Sequence, residues 1–339
     1  MASEEAKALS NMKVIIPLGG LGTRLRPHTY TRPKPLINVA GKPMLGHIVD
    51  KFAGLPVEEF IFVVGYLGEQ IEHYVKSTYA FPARFVEQKE ALGQAHALWL
   101  CREYVAGSVL VIFGDTLFDA DLGELGRSPQ DNLAYVKEVE DPRRFGVAAL
   151  RSDGCVERFV EKPDTMVNRL AVIGMYYYTD GSQLMNACKE LMDRRIQTKG
   201  EYFLADANNL MIGQGARFVT RTVDVWLDTG KPETVLETNR YLLDNGSDNS
   251  GQVHFPACVI VPPVNVHPTA QIEEAVIGPY ATIGENCHIH RAIIRDSIIE
   301  ADATIIDTFL DQSLIGREAM VTGRYRKFNV GDSASVGFS

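Results

Sequence analysis

The sequence predicts an α/β domain with a doubly wound, mixed but mainly parallel sheet, followed by a short parallel β-helix. From Lys13 to about Phe113, short apolar runs alternate with helical patterns, which is the order expected of a parallel sheet covered by helices. The polar, glycine-rich stretch "NGSDNSG" then interrupts the chain. Beyond it, apolar residues recur at about every sixth position, which is typical of a β-helix with hexapeptide repeats.

The strands and helices of the first domain follow from the spacing of its apolar residues. The runs "KVIIPL", "EFIFVV" and "SVLVIF" indicate buried strands, because they are nearly continuous in Val, Ile, Leu and Phe. Between them, two sets of residues each share a helical face. The sets are Ile71, Tyr74 and Val75, and then Ala95, Leu98, Trp99 and Val105. From about residue 130 to 235 strand patterns dominate, and we expect this part to add a mixed sheet edge and a lid.

The six-residue step divides the apolar residues of the C-terminal part into four sets. They are Val266 and Ile272; Ile277, Ile283 and Ile289; Ile293, Ile299 and Ile305; and Phe309, Ile315 and Val321. Each side of a β-helix coil buries one such residue, so we expect these side chains to point inward. The frame slips between sets, which predicts a short or irregular β-helix.

These patterns divide the chain into four parts. We expect an N-terminal extension (1–12), a first domain (13–245), a linker (246–252) and a β-helix domain that includes the C-terminal tail (253–339).

The composition restricts the classes of function. The net charge of −9 at pH 7 disfavours broad binding to nucleic acid or to an anionic membrane. The five cysteines are scattered and form no CxxC motif, a pattern typical of reduced thiols rather than of a zinc site. The N-terminus lacks the apolar segment of a signal peptide, and no apolar run is long enough to span a membrane. We therefore expect a cytoplasmic protein.

The stretch "PLGGLGTRLRPHTYTRPKPL" follows the first strand and contains no acidic residue. It is not a Walker A loop, because its glycines are not followed by Gly-Lys-Ser/Thr. It is not a dinucleotide fingerprint either, since Leu25 stands where the third glycine is needed and the prolines prevent an immediate helix. What remains is a loop rich in backbone N–H groups and positive charge.

The glycines and basic residues of this loop suit an anionic ligand. Gly19, Gly20 and Gly22 let the backbone approach a phosphate chain or a flat base closely. Arg24 and Lys34 add charge-assisted contacts, and the prolines on either side of Lys34 restrict its backbone. No Asp or Glu lies between Lys13 and Val49, so nothing nearby in the sequence neutralises this charge.

Other candidate residues lie in four motifs, each ambiguous when taken alone. Asp115 ends a buried strand in "VLVIFGDTLF", and Asp228 lies in "VDVWLDTGKPE"; together with phosphates they could bind Mg²⁺, although a lone Asp there is as often a cap or turn former. Glu161 and Lys162 in "RFVEKP" could be ordinary surface charges. In "FVEQKEALGQAHAL", the side-chain amide of Gln88 could hydrogen-bond the edge of a base, or the segment could simply start a helix.

Taken together, these motifs resemble the sugar-1-phosphate nucleotidylyltransferases, also called NDP-sugar pyrophosphorylases. Their long signature, G-G-x-G-T-R-L-x-P-x-T followed by P-K-P, is present as "GGLGTRLRPHT" and "RPKP". The similarity covers about residues 13 to 245. It is greatest to glucose-1-phosphate thymidylyltransferase-like members, many of which carry a C-terminal hexapeptide β-helix. It implies a Rossmann-like nucleotidyltransferase fold followed by a left-handed β-helix.

The resemblance also implies roles for individual residues. The implied catalytic residues are Arg24 and Lys34 at the triphosphate and Lys162 at the sugar phosphate. The implied ligands of Mg²⁺ are Asp115 and Asp228. The implied nucleotide-binding residues are Leu18, Gly19, Gly20, Gly22, Thr23, Gln88 and Gly93. The implied sugar-binding residues are Gly146, Glu161, Ile173 and Gly174. Two positions depart from the family pattern: "PLGG" replaces L-A-G-G, and "FGD" replaces L-G-D.

The implied reaction is the Mg²⁺-dependent transfer of a nucleoside monophosphate from dTTP or UTP to a sugar 1-phosphate, with glucose 1-phosphate expected. An oxygen of the sugar phosphate attacks the α-phosphorus in line and pyrophosphate leaves, so the protein must neutralise and align two anions. We expect small-molecule substrates, no nucleic-acid or membrane partner, and a homo-oligomer formed through the β-helix.

Three alternatives remain open. The first is a catalytically silent regulatory or scaffold homologue, although such proteins usually lose a metal carboxylate or a basic residue. The second is a mannose-1-phosphate guanylyltransferase of the same family that uses GTP. The third is a bifunctional enzyme whose β-helix transfers acyl groups, for which His288 and His290 are weak support.

Overall fold

The structure is a computed structural model that describes residues 12–55, 57–123 and 131–323. The expected N-terminal extension, apart from Met12, and the tail from residue 324 onward lie outside these residues. The chain divides into two compact units. The first comprises the residues up to Ile37 and Lys42–Thr234; the second comprises Asn38–Gly41 and the residues from Val235 onward. No helix in the described part of the chain has the length and apolar character needed to cross a membrane.

The first unit contains a mixed sheet with helices packed against it. Its strands are β1 (Met12–Pro17), β4 (Val57–Val64), β5 (Ala83–Glu87), β6 (Val109–Ile112), β7 (Thr116–Asp119), β8 (Asn132–Glu138), β9 (Gly146–Leu150), β10 (Val156–Glu161), β11 (Leu170–Tyr178), β12 (Phe218–Thr222) and β13 (Val225–Asp228). Two short strands, β2 (Asn38–Val39) and β3 (Lys42–Pro43), lie between β1 and β4 in the chain; β3 belongs to the first unit and β2 to the second. The helices of the first unit are α1 (Met44–Asp50), α2 (Gly68–Thr78), α3 (Gln94–Trp99), α4 (Gly181–Asp193) and α5 (Leu204–Gly213). Helix α6 (Pro232–Leu242) follows β13 and belongs to the second unit from Val235 onward.

The order of the sheet brings the sequence motifs to one edge. The main path is β10-β9-β11-β6-β1-β4-β5, with β8 paired to β11 and β12 paired to β8. Strands β6, β1, β4 and β5 are parallel neighbours, whereas β11 runs antiparallel to β6, β8 and β9. Because β1, β5 and β6 are parallel, the segments that leave their carboxyl ends lie at the same edge of the sheet. The predicted mixed sheet is confirmed.

The apolar patterns predicted most of the core correctly. Ile71 and Val75 are buried on α2, and Ala95 and Leu98 are buried on α3. The expectation that Val105 shares the face of α3 is wrong, because this helix ends at Trp99. Val105 follows a separate 3₁₀ turn and reaches the core from there.

The second unit contains the expected β-helix, built from short parallel strands in three sheets. The first sheet holds β14 (Val259–Ile260), β17 (Val276–Ile277), β20 (Ile293–Arg295) and β23 (Phe309–Asp311). The second holds β15 (Val264–Val266), β18 (Ala281–Ile283), β21 (Ile298–Ile299) and β24 (Leu314–Ile315). The third holds β16 (Gln271–Glu273), β19 (His288–His290), β22 (Thr304–Ile306) and β25 (Met320–Thr322).

The six-residue step places two inward positions incorrectly. Ile293 and Phe309 are exposed by 43% and 55%, and their neighbours Ile294 and Leu310 are buried instead. Ile277 pairs with Ile294, and Ile294 pairs with Leu310, so the later coil is one residue shorter than the earlier one. A strict step of six therefore falls on the outer face at these two positions.

The polar segment expected to be a linker makes specific backbone contacts within the second unit. The carboxylate of Asp248 accepts a hydrogen bond from the backbone N–H of Val264 at 2.9 Å. The side chain of Asn249 accepts from the N–H of Val266 and donates to its carbonyl, both at 2.9 Å. These contacts fix the segment against the first strand of the second sheet.

Candidate active site

The glycine-rich loop after β1 is held by a contact with β4 and by contacts within the loop itself. The backbone N–H of Leu18 donates to the carbonyl of Val63 at 2.7 Å, which holds the start of the loop against β4. Gly22 has a φ of 60°, and its carbonyl accepts a hydrogen bond from the hydroxyl of Thr29 at 2.9 Å. Lys34 begins a 3₁₀ turn that ends at Leu36. The loop therefore presents its backbone and Lys34 to the same side.

A cavity of about 530 Å³ lies at the carboxyl edge of the parallel strands. The residues predicted to bind the nucleotide all line it: Leu18, Gly19, Gly20, Gly22, Thr23, Gln88 and Gly93. Arg24, Lys34 and Asp115 line it as well. The structure thus brings together residues separated by almost a hundred positions, and their roles stay predictions.

Lys34 is neutralised by a residue distant in sequence. Its Nζ atom lies 2.7 Å from Oδ2 of Asp115, with the lysine side chain 12% exposed and the aspartate side chain 39% exposed. The acid-free sequence around Lys34 therefore does not leave its charge unpaired. Because the ammonium is the more buried partner, it depends more on this contact than the carboxylate does.

Asp228 lies next to Asp115 through the pairing of two short strands. Thr116, the residue after Asp115, is the register partner of Asp228 in the antiparallel pair β7–β13. The hydroxyl of Thr229 also donates to the backbone carbonyl of Asp115 at 3.2 Å. The guanidinium of Arg24 lies beside Asp228. A Cβ added to Gly230 would lie 3.0 Å from a guanidinium nitrogen of Arg24 and 3.0 Å from a carboxylate oxygen of Asp228.

A second cavity of about 190 Å³ adjoins the first and shares part of its wall. The shared residues are Arg24, Gln94, Phe113 and Asp115. Asp228, Gly146, Glu161, Lys162 and Gly174 line the second cavity alone. The predicted sugar-binding residues other than Ile173 thus lie beside the predicted nucleotide-binding residues.

Ile173 is not part of this wall. Its side chain is 1% exposed, and its carbonyl accepts a hydrogen bond from the hydroxyl of Thr116 at 2.7 Å. Side chains alternate along a strand, and the adjacent residues Val172 and Gly174 line the cavity. Ile173 therefore does not line this cavity, contrary to expectation, whereas Val172 and Gly174 do, and the assignment of the cavity to the sugar stays a prediction.

Glu161 and Lys162 form a charged pair that lines the second cavity. Nζ of Lys162 lies 3.5 Å from Oε1 of Glu161 and 5.1 Å from the ring centre of Phe203. Burial raises the pKa of Glu161, and the charge of Lys162 opposes that shift. Lys162 has a φ of 46°, a strained conformation for a non-glycine residue. Its backbone N–H donates to the carbonyl of Phe145 at 3.0 Å.

The donor set fits a Mg²⁺ ion that is bound together with phosphates. Asp115 and Asp228 line one cavity, and the described residues contain no cluster of three or more potential metal-binding side chains. Mg²⁺ is commonly held by one or two carboxylates plus substrate phosphates and water. Two adjacent carboxylates in a cavity lined by backbone N–H groups and cations match that pattern.

Several residues of the two cavities had no role in the sequence predictions. Among them are Glu201 in the first cavity and Arg144, Phe145 and Trp226 in the second. The indole Nε1 of Trp226 is buried and has no hydrogen-bond partner within the described residues. Trp226 lies two positions before Asp228 on β13, and alternation along a strand could have placed both side chains on one face. No comparable sequence pattern predicted that Glu201 would line the first cavity.

A parallel sheet with a glycine-rich, basic cavity at its carboxyl edge is typical of nucleotide-binding α/β enzymes. The comparison with protein families agrees. A sequence model of the nucleotidyl transferase family matches residues 13–245, and a model of the GlmU-like C-terminal hexapeptide domain matches residues 249–314. The chain belongs to the nucleotidyl transferase family. The expected family, enzyme class and overall fold class are thus confirmed.

Named proteins from several organisms are similar to this chain. Glucose-1-phosphate thymidylyltransferase of Streptomyces antibioticus is 29% identical, over 96% of this chain and 99% of that protein. UTP–glucose-1-phosphate uridylyltransferase AglF of Haloferax volcanii is 32% identical, over 66% of this chain and 93% of that protein. The bifunctional protein GlmU of Methanocaldococcus jannaschii is 35% identical over 71% of this chain, but the match spans only 57% of GlmU.

A solved structure is also similar. It is a Bacillus anthracis protein assigned as a glucose-1-phosphate thymidylyltransferase, crystallised with sucrose. The TM-score is 0.59 at 27% sequence identity, and the match covers 68% of this chain and 94% of that chain.

The unequal burial of Lys34 and Asp115 predicts unequal effects on stability. Asp115→Asn leaves the buried ammonium without its counter-charge, and we expect it to lower the free energy of unfolding by about 1–3 kcal/mol. Lys34→Met leaves a more exposed carboxylate, and we expect a loss below about 1 kcal/mol. Urea unfolding of both variants tests this asymmetry, and equal losses, or a larger loss in Lys34→Met, would contradict it.

Proposed function

We propose that this enzyme transfers a nucleoside monophosphate from dTTP or UTP to glucose 1-phosphate in the presence of Mg²⁺. The observation that carries the proposal is the shared wall between the two cavities. The larger one is lined by glycine backbone and Gln88, and the smaller one contains Glu161 and Lys162. Relatives named as glucose-1-phosphate thymidylyltransferase and uridylyltransferase support this choice of substrates.

In the proposed mechanism, Lys34 exchanges its partner when the nucleotide binds. In the free protein its ammonium contacts Asp115 at 2.7 Å. A phosphate oxygen entering the first cavity offers the same charge-assisted contact, and Arg24 adds a planar cation suited to the departing pyrophosphate. Asp115 and Asp228 would hold Mg²⁺, which when bound supplies neutralisation of charge at the α-phosphate.

Lys162 aligns the second anion. Its strained backbone and its contacts with Glu161 and Phe203 restrict where the ammonium can lie, so it can hold the sugar phosphate without a large loss of side-chain entropy. An oxygen of that phosphate forms a bond to the α-phosphorus of the nucleotide while the bond from the α-phosphorus to the bridging oxygen breaks. The electron pair leaves with pyrophosphate, and no covalent enzyme intermediate is required.

The buried polar groups of the second cavity suit a sugar ring. The carboxylate of Glu161 can accept hydrogen bonds from sugar hydroxyls, and Nε1 of Trp226 can donate one. A buried donor without a partner costs free energy in the unbound protein. A ligand that supplies the missing acceptor removes this cost.

Pyrophosphate release measured over a panel of substrates tests the function. The panel crosses dTTP, UTP, GTP, CTP and ATP with several sugar 1-phosphates in the presence of Mg²⁺. We expect the fastest release with dTTP or UTP plus glucose 1-phosphate, and Lys162→Ala should lose most of it, at least about a hundredfold. Lys189→Ala, which removes an exposed lysine on α4, is the control and should keep wild-type activity.

Other outcomes of this panel favour the alternatives. The fastest release with GTP and mannose 1-phosphate would favour a guanylyltransferase. No release with any pair would favour a catalytically silent homologue, and full activity of Lys162→Ala would contradict the site assignment.

Replacement of Trp226 by Phe tests the unpartnered indole donor. The variant removes the donor together with one ring of the indole, and it keeps an aromatic side chain next to Phe145, whose ring centre lies 4.7 Å from that of Trp226. We expect the KM for the sugar 1-phosphate to rise about tenfold, while the free energy of unfolding changes by less than about 1 kcal/mol. A wild-type KM, or a large loss of stability, would contradict this role for Nε1.

We propose that the β-helix domain, residues 253–339, joins copies of the chain into a homo-oligomer, while residues 13–245 form the catalytic domain. A column of apolar residues lies in register on the outer face of the first sheet: Val259, Val276, Ile293 and Phe309. Three of them, Val259, Ile293 and Phe309, are exposed by 43% or more. Columns of exposed apolar residues are typical of protein–protein contacts, and a second copy offers a matching one.

Light scattering of the full chain tests this interface. We expect the wild-type mass to exceed that of one chain and Phe309→Glu to lower it, because a charge in an apolar contact is poorly solvated. His288→Glu, at an exposed position of the third sheet, is the matched control and should keep the wild-type mass. A monomeric wild type, or an unchanged mass in Phe309→Glu, would contradict the proposal.

A further inference from the structure

The side-chain amide of Gln88 has a fixed orientation. Gln88 follows β5, and its backbone N–H donates to the carbonyl of Val64 at 2.8 Å. Its side-chain Nε2 donates to the carbonyl of Gly93 at 3.1 Å. A carbonyl can only accept, so the amide must turn its nitrogen, and not its oxygen, toward Gly93.

The carbonyl of Gly93 is itself held in place by backbone packing. Gly93 precedes α3 with a φ of 113°, and a Cβ at this position would lie 2.6 Å from the carbonyl oxygen of Tyr202. The N–H of Ala95 donates to the Tyr202 carbonyl, and the N–H of Tyr202 donates to the Leu92 carbonyl, both at 2.9 Å. The acceptor that orients Gln88 therefore cannot easily move.

His96 supplies a second acceptor for the same amide nitrogen. Its Nδ1 atom lies 3.1 Å from Nε2 of Gln88. Since Nε2 carries the hydrogens, Nδ1 must be unprotonated, and the ring proton lies on the other nitrogen of the imidazole. Burial lowers the pKa of His96, and the charge of Glu90 opposes that shift. The net effect favours the neutral ring that this contact requires.

With its nitrogen engaged twice, Gln88 turns its oxygen toward the first cavity. A Cβ on Gly19 would lie 2.7 Å from Oε1 of Gln88, and both residues line that cavity. The group offered to a ligand is therefore a hydrogen-bond acceptor. Uracil and thymine carry a proton on ring nitrogen N3, whereas N3 of cytosine has none and can only accept.

We propose that His96 is a positioning residue that holds Oε1 of Gln88 toward the base, so that the cavity selects uridine and thymidine nucleotides over cytidine nucleotides. This inference rests on the proposed function, which assigns the first cavity to the nucleotide. Protonation of His96 would place an N–H at Nδ1 against the hydrogens of the amide nitrogen. The amide would then lose one of the two acceptors that hold its nitrogen, and Oε1 would be less firmly fixed toward the base.

Two variants at His96 separate this role from a structural one. His96→Leu removes the acceptor. His96→Asn keeps an acceptor oxygen the same number of bonds from the Cβ and does not titrate, and His and Asn have similar helix propensities. Isothermal titration calorimetry with dTTP, UTP and CTP, without sugar phosphate, measures the ratio of dissociation constants from about pH 8 down to about pH 5. This range extends well below the usual histidine pKa, because burial lowers the pKa of His96.

The wild type should bind dTTP and UTP at least about tenfold more tightly than CTP at pH 8. This preference should fall as the pH drops, because protons compete for Nδ1 of His96. At every pH, the preference of His96→Leu for dTTP and UTP over CTP should be about tenfold smaller than the preference of the wild type at pH 8. His96→Asn should keep the wild-type preference, and this preference should no longer depend on pH. If His96→Leu does not fold, the comparison of wild type with His96→Asn across pH still tests the inference.

Equal preferences in His96→Leu and wild type would overturn the inference, and so would a loss in His96→Asn as large as that in His96→Leu. A wild-type preference that does not change with pH would overturn it as well. Because binding is measured without turnover, failure of the proposed function is seen separately. In that case the wild type releases no pyrophosphate with any pair of substrates.

Discussion

The ion pair between Lys34 and Asp115 joins the segments that leave two adjacent parallel strands, β1 and β6. Lys34 is mostly buried, so its ammonium needs an anionic partner whether or not a ligand is present. In the free protein that partner is Asp115, and in the proposed complex it is a phosphate. The glycine backbone and the proline-flanked turn around Lys34 keep both partners within its reach.

The same pair lies beside the wall shared by the two cavities. Asp115 lines both of them, and Asp228 is placed next to it by the pairing of β7 with β13. Lys162 lies in the second cavity. In the proposed complex, positive charge is thus available to each of the two anions, and Asp115 and Asp228 would hold the metal. Charge neutralisation and alignment suffice for an in-line transfer between two phosphates, so the proposed reaction needs no nucleophilic side chain.

The sequence was most informative where backbone constraints are local. A glycine-rich loop after a parallel strand can lie only at the carboxyl edge of the sheet, which is why the residues expected to bind the nucleotide share one cavity. Predictions failed where a shift of one residue reverses the direction of a side chain. Ile173 faces away from the cavity, and Ile293 and Phe309 face outward because a later coil is one residue shorter. Residues that reach the cavity from distant segments of the chain, such as Glu201, have no local sequence pattern that predicts their position.

A crystal structure of the full chain with dTTP and Mg²⁺, without sugar phosphate, tests the central claim most directly. The account predicts that Nζ of Lys34 leaves Asp115 and lies about 3 Å from a phosphate oxygen of the nucleotide, with the base against Gly19 and Gln88. A complex in which the nucleotide occupies the cavity while Lys34 remains 2.7 Å from Asp115, as in the free protein, would contradict it.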